Sequence, residues 1–228
     1  MSDINITIEG GTSKRLLTAG KYCDRDIVVT AEGGGGASPF AAALIRRGLG
    51  YIETGIDGAN SNLKIEIRYE LLTLPSGYWS MIYAYINETT NSTRITLNKG
   101  DSAYVCLNSV PNKSLTSTYK KYENVVYTDI VKPESGTTFS YETNAQKIST
   151  TRKSGDALVD KPITLFGRAT SDDGVSIKVY YLKIYDGTTL VRDYVPYIAE
   201  NGECGMYDRV EGKFYGNDGN GAFEAETY

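Results

Sequence analysis

The residues best able to do chemistry crowd the C-terminal end of the chain, where KIYDGTTLVRDYVPY (183–197) is followed by GMYDRVEGKFYGNDG (205–219). Both stretches interleave Tyr with Asp and Arg, and the second adds Glu211. Such a pattern can supply proton-transfer pairs, a polar binding surface, or turns between strands with aromatic packing. The catalytic options are narrow because the chain has no histidine. That removes Ser-His-Asp and Cys-His activation of a nucleophile, histidine-ligated zinc and the usual general base near neutral pH. Acid–base chemistry would have to rest on carboxylates, Tyr or Lys. Retaining glycosidases hold two carboxyls roughly 5 Å apart, and the nearest approach to such a pair is Glu66 with Glu70 in LKIEIRYELL (63–72), offset by Arg68. A solvated charged strand face explains the same residues.

Binding chemistry is better represented. There are 19 tyrosines, and the lone tryptophan, Trp79, stands beside Tyr78 in PSGYWSMIYAY (75–85). Aromatic faces stack on the apolar faces of sugars, and Tyr adds a hydroxyl at low entropy cost. Tyr78, Trp79 and Tyr83, with Asn87 and Asn91 of the loop NETTNSTR (87–94), are the candidate glycan-contacting residues. The plainer reading is that Tyr serves as a strand former with one wet edge. NETTNSTR and SDDGVS (171–176) are also rich enough in oxygen to hold Ca²⁺, but a calcium site needs about 6–8 oxygens converging in space. Asp172 and Asp173 before a glycine read as turn formers. No metal site and no cofactor are assigned.

A chain of 228 residues and 25.0 kDa suits one large domain with a small appendage. Its 24 basic and 28 acidic residues form no basic stripe interleaved with aromatics, which argues against a nucleic-acid partner. Cys23, Cys106 and Cys204 are odd in number and widely spaced, so neither a disulfide framework nor a zinc knuckle is indicated. Residues 1–20 lack the apolar stretch of a signal peptide. No run approaches the roughly 20 apolar residues of a membrane span.

The elements that must position these residues are strands. INITIEGG (4–11) and DIVVTAEGG (26–34) read as two strands joined by KRLLTAGKYCDR, which makes residues 1–33 a small β-module. Domains below about 40 residues seldom stand alone, so this module is expected to dock on a larger assembly, with Ile6, Ile8, Leu16, Leu17, Tyr22, Ile27 and Val29 as contact residues. Residues 34–50 are expected to form a Gly-rich hinge and one short helix. In SPFAAALIRRGLG, Ser38 serves as N-cap, Pro39 opens the helix, Arg46 and Arg47 close it and Gly48 stops it. Residues 51–228 form short segments rich in β-branched and aromatic residues, separated by turn signals such as Asp186-Gly187 and Glu211-Gly212. That spacing predicts an antiparallel sandwich or barrel. Alternation in LKIEIRYE puts Leu63, Ile65, Ile67 and Tyr69 on a buried face and Lys64, Glu66, Arg68 and Glu70 on a wet one.

The succession PITLFG (162–167), VYYLKIYD (179–186), TLVRDYVP (189–196), GMYD (205–208) and GKFY (212–215) resembles the C-terminal half of concanavalin A-like, or laminin-G-like, jelly-roll domains in phage and prophage tail and fibre proteins. YIETGI (51–56) looks like their first strand, and TSKRLLTAGKYCDRDIVVTAEG (12–33) is similar to a module that precedes diverse domains in such proteins. Residues 70–160 match in strand character alone. The resemblance implies an all-β jelly-roll sandwich in which the Tyr-Asp and Lys-Phe-Tyr stretches are adjoining strands. It also implies a non-enzymatic virion protein of tail-fibre, tail-tip or baseplate type, assembled in the bacterial cytoplasm and displaying a lectin-like domain to host surface polysaccharide. Its partners would be other virion proteins, bound through the N-terminal module, and further copies of itself, although no heptad seam demands a trimer. The alternatives are a decoration protein that stabilises capsid or tail without binding glycan, and a carbohydrate-active enzyme. Glucanases of this fold carry Glu-x-Asp-x-Glu along one strand, and the pattern is absent here.

Overall fold

The computed structural model describes residues 39–47, 50–57, 62–73, 80–86, 92–97, 102–106, 114–135, 138–144, 146–151, 162–166 and 176–228. The chain separates into two compact units, Met1–Pro39 and Phe40–Tyr228. All but the last residue of the first unit lies outside the described residues. So do the expected contact residues Ile6, Ile8, Leu16, Leu17, Tyr22, Ile27 and Val29, and the Gly hinge.

In chain order the strands are β1 (Ala43–Arg47), β2 (Ile52–Asp57), β3 (Leu63–Leu71), β4 (Ser80–Ile86), β5 (Ser92–Leu97), β6 (Ser102–Cys106), β7 (Ser114–Lys120) and β8 (Val126–Ser135). They continue as β9 (Thr138–Thr143), β10 (Gln146–Thr151), β11 (Pro162–Leu165), β12 (Ile177–Asp186), β13 (Thr189–Ile198), β14 (Cys204–Asp208), β15 (Lys213–Tyr215) and β16 (Ala222–Glu226). Among the described residues there is no helix. One sheet runs β10-β9-β8-β3-β12-β13-β14-β15, with β1 paired to β12 and β16 paired to β1; the other runs β2-β11-β4-β5-β6-β7. The pairings are antiparallel. The architecture is the expected all-β sandwich.

Strand β3 shows how composition becomes position. Its burial alternates residue by residue, with Leu63, Ile65, Ile67, Tyr69 and Leu71 inside. Pairing Ile67 with Leu182 and Ile65 with Ile184 continues the apolar face across β12. From the other sheet, Ile52, Ile163 and Leu165 join the same core, with Phe166 just beyond β11. The core therefore lies between the sheets, as period-two side-chain alternation requires.

The short helix expected over 38–50 is not formed. Phe40 makes a bridge to Tyr197, the Ala41 N–H donates to the Pro196 carbonyl at 3.1 Å, and β1 follows with β12 on one edge and β16 on the other. Ser38, Pro39 and Gly48 carry local signals worth about 1 kcal/mol at a cap. Against them stand a ladder on both edges and the complete burial of Leu44, which contributes roughly 1.5–3 kcal/mol. The long-range pairing wins, and the sandwich begins at Phe40 rather than at Tyr51.

The opening pair of stretches becomes one ribbon, β12-β13-β14-β15. Gly187 (φ 59°) turns β12 into β13, and Gly212 (φ 68°) turns β14 into β15, its N–H donating to the Asp208 carbonyl at 2.8 Å. Both are positions where positive φ favours glycine.

Candidate functional site

Of the expected glycan contacts, Tyr78, Trp79, Asn87 and Asn91 lie outside the described residues. Tyr83 falls on β4, where its backbone pairs with Leu165 of β11 and Ile95 of β5. The loop residues Asp172 and Asp173 also lie outside. The geometry instead draws attention to the outer face of the larger sheet and to two buried charged clusters beneath it.

On that outer face, β3 presents Lys64, Glu66, Arg68 and Glu70 to β12. A register shift between Val179 and Tyr181 lets the adjacent Tyr180 and Tyr181 both reach β3 side chains. The Tyr181 hydroxyl donates to Glu66 Oε1 at 2.9 Å and the Tyr180 hydroxyl to Glu70 Oε2 at 2.8 Å. Lys64 lies 4.0 Å above the Tyr185 ring. Burial, then the hydrogen bond to Glu66, pushes the Tyr181 phenol up to about 12. Each carboxylate of the Glu66 and Glu70 pair is thus taken by its own tyrosine. The two form part of a polar lattice between β3 and β12.

Further along the same face, β13, β14 and β15 carry an aromatic patch. Tyr197 and Tyr207 stack at 5.1 Å between ring centroids, with 28° between their planes. Phe40 meets them edge-on at 5.3 and 5.9 Å, and Phe214 tilts against Tyr197 at 5.8 Å. Phe40 remains 40% exposed. Gly205 lies opposite Tyr197 in the ladder, and a Cβ there would meet the Phe214 ring at 2.7 Å. The absence of a side chain at Gly205 leaves room for that ring and for the Tyr215 carbonyl of β15. Tyr197, Tyr207 and Phe214 stand in the two C-terminal stretches, whereas the local signals around Phe40 are those of a helix, so nothing in the sequence groups it with them.

The patch is held from beneath. Asp208 is fully buried, and its Oδ1 accepts the Asp193 N–H at 2.9 Å and the Val210 N–H at 3.0 Å. Its Oδ2 lies 3.3 Å from Arg192 Nε, an ion-pair distance without the alignment of a hydrogen bond. Arg192 also pairs with Glu211, which accepts the Tyr215 hydroxyl. Arg209 grips Asp193 Oδ2 through Nε at 2.9 Å and a terminal nitrogen at 2.6 Å. Burial, followed by the Glu211 hydrogen bond, pushes Tyr215 up to about 12. Burial raises Tyr194 further still. The charges of VRDY and YDRVEG thus lock β13 to β14 and to its following turn, with Tyr194 and Tyr215 packed edge to face beside them.

The second cluster lies at the junction of the two sheets. Lys121, directly after β7, sends its Nζ into the core, where it donates to Asp129 Oδ1 at 2.8 Å and Oδ2 at 2.7 Å; neither side chain has any exposure. Asp129 also accepts the Tyr69 hydroxyl at 2.7 Å, and Lys121 contacts that same hydroxyl. Thr143 Oγ1 lies 3.5 Å from Nζ, and the rings of Tyr127, Tyr69 and Tyr141 surround it at 4.3, 4.9 and 5.9 Å. Burial lowers the Lys121 pKa and raises that of Tyr69 well above its ordinary value. Nothing in the segment STYKKYEN marks its second lysine as a core residue.

No family model matches this chain, and no curated protein does. Among solved structures it is similar to a mutant of Trypanosoma rangeli sialidase displaying trans-sialidase activity, at a TM-score of 0.45 and 13% identity over 56% of this chain. The chain spans about a fifth, 21%, of that protein's length. It is also similar to Scytalido-glutamic peptidase (TM-score 0.41, 12% identity, covering 71% of this chain and 91% of that one). A third likeness is to SCP-B, an eqolisin-family peptidase (TM-score 0.37, 12% identity, covering 71% and 90%). Likeness at this level carries no activity over to the present chain.

Proposed function

We propose that this chain is a non-enzymatic component of a bacteriophage particle, of tail-fibre, tail-tip or baseplate type, whose sandwich attaches to host surface polysaccharide. The observation that supports the reading is the patch of Phe40, Tyr197, Tyr207 and Phe214 on the outer sheet face, with Phe40 40% exposed. Aromatic surface of this kind stacks on sugar rings, and the tyrosine hydroxyls reach sugar hydroxyls. The sequence resemblance to phage tail proteins supplies the setting. A shallow site of millimolar affinity is worth only about 4 kcal/mol, so attachment needs many linked copies, which a virion provides.

The test uses the full chain, multimerised on beads, against a panel of whole bacteria and their purified envelope polysaccharides. Retention is expected for the unmodified chain and for Glu66→Gln, and its loss for folded Tyr197→Ala and Tyr207→Ala. Absence of retention, or retention indifferent to both tyrosines, would overturn the reading. A particle map showing the patch sealed against a neighbouring subunit would favour the decoration role instead.

A further inference from the structure

Lys121 and Asp129 are eight positions apart, and a bidentate contact brings the Lys121 nitrogen to 2.7 and 2.8 Å from the two carboxylate oxygens of Asp129. A buried ion pair is a poor use of two charges, because the cost of desolvating both offsets most of their attraction. The described surroundings are the three tyrosine rings, the Tyr69 hydroxyl and Thr143.

We propose that Lys121 and Asp129 join covalently after folding, through an isopeptide bond between Nζ and Cγ. The lysine ammonium first passes a proton to the carboxylate, leaving a neutral amine and a neutral acid. Rotation of the carboxyl about its Cβ–Cγ bond then turns the carbon toward the nitrogen lone pair. The Nζ–Cγ bond forms, and a proton leaves the nitrogen for one carboxyl oxygen. That oxygen departs as water. One C–O bond breaks, one C–N bond forms, two charges vanish, and no oxidant or co-reactant is consumed. The Tyr69 hydroxyl touches both partners and can relay the proton, finishing protonated as it began.

Two features favour the step. Burial already shifts Lys121 toward the neutral amine that must attack. Fixing the reactants together substitutes for concentration, at effective molarities of about 10⁵–10⁸ M in well-oriented cases. The product would staple the residue after β7, in the smaller sheet, to β8 in the larger one. A particle component under mechanical load gains from such a link.

Intact-mass spectrometry of the purified full chain tests the proposal, allowing for loss of Met1. The expected mass is one water below that of the sequence, and trypsin should leave the bond after Lys121 uncut. Lys121→Arg should restore the full mass. Asp129→Asn should form the same amide by releasing ammonia, and so reach the same final mass as the unmodified chain. Tyr69→Phe should slow bond formation on refolding by about 100-fold or more; an unchanged rate would remove the relay. A full sequence mass in the folded, unmodified chain overturns the proposal. So does a deficit that mild base removes and that maps to an Asp-Gly dipeptide such as Asp57-Gly58 or Asp218-Gly219, since it would be a cyclic imide.

Discussion

The carboxylate of Asp208 accepts the backbone N–H of Asp193 at 2.9 Å, a side-chain bond laid across two paired strands, β13 and β14. The same oxygen takes the Val210 N–H at 3.0 Å, so one buried group fixes the ribbon and the turn that leaves it. Asp208→Ala would orphan both donors and strip Arg192 of a buried partner. It is expected to cost about 3–5 kcal/mol, read as a lower denaturant midpoint at constant slope. Asp208→Asn, which keeps one acceptor, should lose less. A change in Asp208→Ala no larger than about 0.5 kcal/mol, typical of surface sites, would show that the clasp carries no stability.

Gly205→Ala tests the aromatic patch. The new methyl would collide first with the backbone carbonyl of Tyr215 on the paired strand β15 and then with the Phe214 ring at 2.7 Å, and overpacking of this sort costs about 1–3 kcal/mol. Near-ultraviolet circular dichroism should change together with the thermal midpoint, because the Tyr197, Tyr207 and Phe214 rings must shift. An unchanged spectrum and midpoint would mean that neither the β15 backbone nor the Phe214 ring lies against Gly205, whereas a lower midpoint with an unchanged spectrum would assign the clash to the backbone alone.

Leu44→Ala separates strand from helix at the start of the sandwich. Leu44 is fully buried in β1, so the substitution should cost about 2–5 kcal/mol. In an exposed linker helix the same change would be nearly neutral, since alanine is the best helix former. Chemical denaturation decides between them.

Alkaline titration follows from the raised phenols. Tyr181 and Tyr215 are pushed from 10.0 up to about 12, by burial first and by Glu66 and Glu211 second. Their folded-state pKa lies above the unfolded value, so the stability they contribute is fully present below pH 10 and is lost as pH rises toward about 12. Absorbance at the phenolate band should rise later in the native chain than in denaturant; coincident curves would contradict the packing. With no histidine, stability should stay nearly flat between about pH 5 and 8.

Much of the fold was legible because strand alternation is a local property. The two faces of LKIEIRYEL and the turns at Gly187 and Gly212 follow from period-two patterning and from where glycine is needed, while the adjoining strands of the C-terminal ribbon are what the resemblance to jelly-roll domains implies. Strands β7 (SLTSTYK) and β10 (QKISTT) are hard to read locally because Ser and Thr leave no apolar face. Strand β16 (AFEAE) is hard to read because glutamates stand among its few apolar residues.

What the sequence determined by itself is therefore the all-strand class, the inward and outward faces and the chemistry excluded by the missing histidine. Tertiary structure alone decided that ALIRR would be a strand, that Phe40 would join Tyr197 and Tyr207, and that Lys121 would reach Asp129 in the core. Those outcomes depend on pairing between segments far apart in the chain, where the gain from burying Leu44 and laddering both edges of β1 outweighs any local preference.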